Sequence, residues 1–232
     1  MLKKASGVLA MVIAMSASGF AAAADKVTYQ LDWLPGGDKA PVYAGIQQGF
    51  FADEGLEVTV ASGRGSTDAI TKIATGQADI GSADIGALMA ARAQDTVPVS
   101  AVYMIFNQGP HAFFALSDSG INSFADIAGK KVATSPFTSS NAFLPLVLEA
   151  NNMPTDSVSL TKSDPGALGP MLVTGNTEAI IAWVTNIALF KQQAAAAGKD
   201  INVIRWSDAG LSLYSSAVVA ADKFLTERPD VA

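Results

Sequence analysis

The chain alternates short β-branched segments with helical patterns, and it does so twice. In the first half, residues 56–61 read as a strand that leads through a Ser/Gly turn into a helix over 66–75. In the second half, residues 131–134 lead through a Ser/Thr-rich turn into a helix that begins near Ser139. Strands separated by helices predict βαβ units and mostly parallel sheets. Two such runs predict two similar α/β lobes, with a cleft where the carboxyl ends of their strands face each other.

The same patterns predict the order of elements along the chain. The predicted strands cover residues 27–33, 56–61, 78–81, 98–106, 111–116, 131–134, 158–161, 179–183, 201–206 and 215–220. The predicted helices cover residues 40–51, 66–75, 85–93, 139–150, 167–174 and 187–197. Because no helix separates 98–106 from 111–116, the second of these strands is expected to cross between the lobes. Pro145 predicts that the helix from Ser139 is kinked or begins later.

The N-terminus has the pattern of a secretory signal peptide. Lys3 and Lys4 precede an apolar stretch over 8–20, and Ala22 to Ala24 form a small-residue cleavage site. That stretch is shorter than the roughly 20 residues of a membrane span. We therefore expect a signal peptide at 1–24, a first lobe at 25–112, a second lobe at 113–212 and a return to the first lobe at 213–232. No cysteine follows the cleavage site, so a lipid anchor is not expected, and the predicted location is the periplasm.

Composition narrows the classes of function. Half of the 232 residues are hydrophobic and 16% are charged, which excludes a disordered chain. The net charge of −6 disfavours nucleic acid as a partner. The chain has no cysteine and one histidine, so thiolate metal sites and multi-histidine metal sites are excluded. No G-x-S-x-G elbow, phosphate-binding loop, H-E-x-x-H or G-x-G-x-x-G motif is found. We predict no enzyme activity, no cofactor and no metal.

The turns that precede the two equivalent helices are candidate binding segments. Gly65 and Ser66 occupy the first turn, and Phe137, Thr138 and Ser139 occupy the second. A helix N-terminus has free N–H groups and a partial positive charge, which suit anions and polar oxygens. The alternative is that both turns only cap their helices.

Further candidates lie at the ends of predicted strands. Asp32 and Trp33 could bind a flat ligand with an amine, although a core Trp beside a capping Asp is the alternative. Trp183 and Asn186 end the corresponding strand of the second half and could supply an aromatic wall and an amide contact. Asp84 reads most simply as a helix N-cap.

Two charged residues near the ends of the predicted strands could contact a ligand or could simply lie in solvent. Lys39 and Arg64 are candidates for contacting an anion, but each alone is more typical of a solvent-exposed residue. His111 is predicted to be structural, because no second histidine or nucleophile motif accompanies it.

Several short motifs, in order, resemble one family. These motifs are Leu31-Asp32-Trp33-Leu34-Pro35, Tyr43-Ala44-Gly45, Gly49-Phe50-Phe51, Glu54-Gly55-Leu56, Gly63-x-Gly65-Ser66, Gly76-Gln77-Ala78-Asp79-Ile80-Gly81 with Asp84, and Asp126-Ile127-Ala128-Gly129-Lys130-Lys131-Val132. Together they resemble the substrate-binding proteins of ABC importers for nitrate, sulfonates, taurine and thiamine precursors. The resemblance implies a type II periplasmic binding protein: two α/β lobes that close on a small molecule and deliver it to an inner-membrane permease, as a monomer.

The opening Leu-Asp-Trp-x-Pro is most similar to the branch that binds pyrimidine precursors of thiamine. The resemblance implies that Trp33 stacks on the pyrimidine and that Asp32 receives its amino group. Tyr43 is included among the candidate ligand-binding residues from its motif. The related thiamine-pyrimidine synthases have a histidine where Lys39 stands and a cysteine-rich motif that this chain lacks. The W-(D/E)-P signature of many members is replaced here by a segment without a carboxylate, beginning at Trp183.

Three alternatives remain open at this point. The ligand could be a sulfonate, nitrate or another anion held at the helix N-termini around Ser66 and Ser139, with Lys39 or Arg64. The chain could be a synthase-like enzyme, or a sensory ligand-binding module. Family members usually continue through several more helices after a motif like the one from Arg228 to Val231, so the chain is expected to be a truncated form.

Overall fold

A computed structural model describes residues 23–232, so all but the last two residues of the predicted signal peptide lie outside the described part. It contains two five-stranded sheets flanked by helices, which confirms the predicted two-lobed α/β class. The first run of elements is β1 (Asp25–Gln30), α1 (Ala40–Gln47), α2 (Phe50–Asp53), β2 (Leu56–Ala61), α3 (Ser66–Ala74), β3 (Ile80–Asp84), α4 (Ile85–Gln94) and β4 (Val99–Met104). The second run is β5 (His111–Leu116), β6 (Lys131–Thr134), α5 (Ser140–Ala150), β7 (Ser159–Lys162), α6 (Pro165–Val173), β8 (Ala179–Trp183), α7 (Ile187–Ala196), β9 (Ile201–Arg205), β10 (Ser216–Ala221) and α8 (Asp222–Glu227).

The two sheets share one topology. The first has the order β2-β1-β3-β10-β4 and the second has the order β7-β6-β8-β5-β9. In each, three parallel strands are followed by one antiparallel strand, β10 or β5, and then by a strand antiparallel to that one. Most strands therefore run in one direction, as predicted, but both sheets are mixed.

The core of the second lobe lies on both faces of the central strands of its sheet. Every residue of β5 and β8 is buried, as expected of strands covered on both faces. On one face, Val147 and Leu148 of α5 pack into a cluster with Trp206. On the other face, Leu168 of α6 and Phe190 of α7 pack against the same strands.

Two predicted helices differ from the structure. The helix predicted over 40–51 is divided into α1 and α2, because Gly49 has a left-handed φ of 81° that ends one helix before the next begins. The helix predicted from Ser139 begins at Ser140 with Ser139 as its N-cap, and Pro145 lies inside it. A local preference against internal proline is thus overridden by the burial of neighbouring α5 side chains.

Two chain segments connect the sheets, and we call them the hinge: residues 105–110, between β4 and β5, and residues 206–215, between β9 and β10. They lie side by side, because Ser215 N donates to Phe106 O at 3.1 Å and Phe106 N donates to Ser216 O at 3.0 Å. Within residues 23–232, no helix has the length and apolar character that crossing a bilayer requires.

Candidate functional site

A cleft lies between the lobes, and each lobe contributes to its lining. The lining residues are Asp32, Trp33, Gly65 and Ser66 from the first lobe, and Thr138, Ala182 and Trp183 from the second. All of them except Ala182 are residues that the sequence analysis selected. The free interior is about 10 Å³, room for about one water molecule. A heterocyclic ring can therefore enter only if the lobes separate.

The fold explains why residues far apart in sequence meet here. Asp32 and Trp33 follow β1, and Ser66 begins α3 directly after the turn that follows β2. Trp183 ends β8, and Thr138 lies in the turn between β6 and α5. These strands are parallel within their sheets, so their carboxyl ends meet at one edge of each sheet, where ligands of such folds bind.

Asp32 is buried and its two carboxylate oxygens differ in their surroundings. Oδ1 accepts from Ser82 Oγ at 3.0 Å and from Lys39 Nζ, with which it forms an ion pair. Lys39 Nζ also contacts Asp38 Oδ2 at 2.9 Å. Oδ2 of Asp32 has no hydrogen-bond partner among the described residues, although the side chain is only 2% exposed. This oxygen is the acceptor that remains for a donor in the cleft.

Lys39 is held by carboxylates rather than free for a ligand. Burial acts to lower the pKa of Lys39, but the charges of Asp32 and Asp38 outweigh burial and raise that pKa above its ordinary value. The ammonium group also lies 5.6 Å from the centre of the Trp183 ring. Lys39 therefore remains cationic and fixes the orientation of Asp32.

The two tryptophans of the cleft come from different lobes. Trp33 is half-buried and packs against apolar residues of the second lobe. Trp183 is held edge-on by Phe106, with ring centres 6.3 Å apart, and by His111, with ring centres 5.9 Å apart. An aromatic surface from each lobe suits a flat ligand, because large rigid rings offer contact area at little entropic cost.

Direct contacts join the lobes at the edge of the cleft, and we call them the rim contact: residues 64–67 against residues 135–138. Thr67 donates to Phe137 O from its amide at 3.1 Å and from its hydroxyl at 2.8 Å. Ser135 Oγ donates to Arg64 O at 2.7 Å. The Arg64 guanidinium lies 4.6 Å from the centre of the Phe137 ring. Phe137, predicted as a ligand contact, thus lies at the closure of the cleft rather than in its lining.

The remaining predicted residues lie outside the lining. Ser139 is buried, and its hydroxyl has no partner among the described residues. Asn186 is buried in a turn that contacts the turn of Lys39 across the lobes. Tyr43 is 39% exposed on α1.

Asp84 joins the two sheets. Its side chain accepts from Gly86 N at 2.8 Å, so the predicted N-cap is confirmed. It also accepts from Ser215 Oγ at 2.5 Å and lies 3.5 Å from His111 Nε2. His111 Nδ1 is 2.8 Å from Ser140 Oγ. Sequence reasoning missed this cluster, because no local motif brings residues 84, 111, 140 and 215 together.

We expect the Asp84 cluster to stabilise the fold near neutral pH and to lose that contribution in acid. Burial alone would raise the pKa of Asp84, but His111, Ser215 and the Gly86 amide stabilise the anion and lower that pKa. Because this pKa is lower in the folded state, the ionised carboxylate stabilises the fold at pH values above the unfolded pKa of about 3.9. That stabilisation is lost as the pH falls through the folded pKa. Asp84→Asn should cost on the order of 2 kcal/mol near neutral pH and flatten the acid limb of a urea-unfolding series. The exposed Asp53→Asn is the control, and equal losses in both variants would contradict the prediction.

Comparison with known proteins identifies relatives of this chain. The family model described as NMT1/THI5 like matches residues 37–232. The chain is 26% identical over 208 residues to a formylaminopyrimidine-binding protein of Halalkalibacterium halodurans, covering 88% of this chain and 61% of the relative. It is 30% identical over 107 residues to a 4-amino-5-hydroxymethyl-2-methylpyrimidine phosphate synthase of Legionella pneumophila, covering 46% of this chain and 34% of that enzyme. The chain thus spans less than two thirds of the length of either relative.

Solved structures show the same fold. An alkanesulfonate-binding protein from Xanthomonas axonopodis pv. citri superposes with a TM-score of 0.70 at 14% identity, covering 90% of this chain and 70% of that one. A protein from Bordetella bronchiseptica gives the same TM-score at 21% identity, covering 88% of this chain and 66% of that one. At these sequence identities the superpositions show a shared fold and nothing more.

Proposed function

The chain belongs to the NMT1/THI5-like family, and we propose that it is the solute-binding component of an ABC importer for a planar aminopyrimidine such as a thiamine precursor. One observation carries the proposal: Asp32, which lines a cleft with a tryptophan from each lobe, has a buried carboxylate oxygen, Oδ2, without a hydrogen-bond partner in the described part of the chain. An exocyclic amine would donate to that oxygen while the ring lies against Trp33 or Trp183. The relative named as a formylaminopyrimidine-binding protein supports this ligand class.

Anion binding is the second candidate, and the charges near the cleft argue against it. Lys39 is engaged by two carboxylates. Arg64 is 52% exposed and pairs with Asp68 at 2.9 Å. A sulfonate or nitrate would therefore meet Asp32 Oδ2 without a free cation to offset the repulsion. The hydroxyls of Ser66 and Ser139 remain as donors, which is why anions belong in the test.

Binding without turnover fits the residues of the cleft. The lone histidine, His111, is fully buried between Asp84 and Ser140 and does not line the cleft. The relatives named as synthases align with less than half of this chain. We propose that the protein acts in the periplasm as a monomer, after removal of residues 1–24, and passes its ligand to an inner-membrane permease.

The test is calorimetric titration of the purified chain with 4-amino-5-hydroxymethyl-2-methylpyrimidine and its formylamino analogue. Parallel titrations with taurine, ethanesulfonate and nitrate in the same buffer test anion binding. Saturating ligand at 100 times its dissociation constant should stabilise the fold by about 2.7 kcal/mol, which is measurable as a shift in thermal unfolding. Binding of anions alone would overturn the proposal. Release of a pyrimidine product on incubation with pyridoxal phosphate and iron would instead support the alternative that the protein is a synthase-like enzyme.

Trp33→Ala should weaken aminopyrimidine binding by about 1–3 kcal/mol, because the stacking surface of the first lobe is lost. Trp33→Phe keeps a ring at the position and should recover most of the affinity. Calorimetry on both variants measures the difference. Equal affinities in the wild type and the alanine variant would remove Trp33 from the binding surface.

A further inference from the structure

We infer that the cleft selects planar cations with N–H donors, such as amidinium groups or protonated aminopyrimidines, over neutral ligands of the same shape. The inference rests on the proposed function and names the charge class of its ligand. It derives from the balance of buried charges beside the cleft and from the faces of the two tryptophans.

The buried charges near Asp32 do not cancel. Asp32 and Asp38 contribute two negative charges and Lys39 one positive charge, which leaves one negative charge in a cluster whose side chains are at most 7% exposed. Tyr29 adds no charge, because burial and the Asp32 carboxylate raise the pKa of its hydroxyl. Arg64 supplies no compensation, since its side chain is 52% exposed and is paired with Asp68.

An uncompensated negative charge away from water interacts strongly with an incoming cation, because the surroundings screen it poorly. Asp32 Oδ1 already accepts from Lys39 and Ser82, whereas Oδ2 has no partner within residues 23–232. A cationic N–H group of the ligand would donate a charge-assisted hydrogen bond to Oδ2, so both oxygens of the carboxylate would then have partners.

The aromatic surfaces add a second, independent preference. Trp33 and Trp183 line the same cleft, and the face of an indole ring attracts cations. Lys39 already lies 5.6 Å from the centre of the Trp183 ring, so Trp33 is the ring of the cleft that is left for a ligand cation. A planar cation can therefore stack on tryptophan and reach the carboxylate, whereas a compact ammonium ion such as lysine's cannot stack.

The test uses three probes of nearly the same shape and different charge: benzamidine, benzamide and benzoate. The whole chain is titrated with each at about pH 8, where benzamidine is a cation and benzamide is neutral. We expect benzamidine to bind roughly tenfold or more tightly than benzamide, and benzoate to bind more weakly than either. Equal affinities for benzamidine and benzamide, or tighter binding of benzoate, would overturn the inference.

A variant locates the origin of the selectivity. Asp38→Asn removes one negative charge, so the ratio of benzamidine to benzamide affinity should fall several-fold, whereas the exposed Asp53→Asn should leave the ratio unchanged. Aminopyrimidine binding with no preference among the three probes would leave the proposed function standing and sink the charge inference. If no probe binds, the inference fails whatever the aminopyrimidines do, and the aminopyrimidine titration then judges the proposed function by itself.

Discussion

Asp32→Asn is expected to lower the affinity for aminopyrimidines by about 10- to 100-fold, the loss of one charge-assisted hydrogen bond in a buried site. The amide keeps the size of the side chain but replaces a carboxylate oxygen that has no partner with an uncharged group. It also leaves Lys39 paired with Asp38 alone. Calorimetric titration measures the loss, with Asp156→Asn, an exposed site in the second lobe, as the matched control.

Loss of the Asp32–Lys39 ion pair should destabilise the first lobe, but by less than the about 3–5 kcal/mol lost when a buried charge is left wholly unpaired, because Asp38 still holds Lys39. The triple variant Asp32→Asn/Asp38→Asn/Lys39→Met removes every charge of the cluster, leaves none unpaired, and should regain stability without regaining affinity. Recovery of ligand binding in the triple variant would show that Asp32 acts only on folding. Wild-type affinity in the folded single variant would remove Asp32 from the site.

The architecture could be predicted because its signals are local. Strands β2, β5, β6 and β8 have the predicted bounds, since buried β-branched and aromatic runs between turn residues specify them directly. The insertion of β10 between β3 and β4 pairs residues more than 100 positions apart. No local pattern encodes that pairing, which is why the mixed character of the sheets became evident only in the structure.

The cleft could be predicted in part for a related reason. Residues at the carboxyl ends of strands converge in any such fold, and Asp32, Trp33 and Trp183 were found by that rule, whereas Ser66 was found from its place at a helix N-terminus. The partners of those residues were not found. That Lys39 pairs with Asp32 depends on how the turn after β1 folds back, and the Asp84–His111 contact depends on how the hinge joins the sheets.

Gly65→Val is expected to have the largest effect on the protein, because it should keep the cleft from closing. A Cβ at Gly65 would lie 2.0 Å from Phe137 O and 2.5 Å from Thr138 N, both of which are backbone atoms that cannot move aside independently. The φ of 150° at this position is also unfavourable for any residue with a side chain. The steric conflict arises where the rim contact joins the lobes, so opening the cleft relieves it while each lobe keeps its core; the backbone strain is confined to the turn at position 65.

The expected result is a folded protein that remains open and whose aminopyrimidine affinity falls by more than about 100-fold, since the second lobe no longer completes the site. Small-angle scattering measures the conformation: the wild type should contract with saturating ligand and the variant should not. Gly37→Ala is the control, because nothing lies within 4 Å of a Cβ at that position. Thr67→Val removes one hydroxyl contact to Phe137 without a clash and should give an intermediate loss. If Gly65→Val contracts and binds like the wild type, the rim contact has no part in closure.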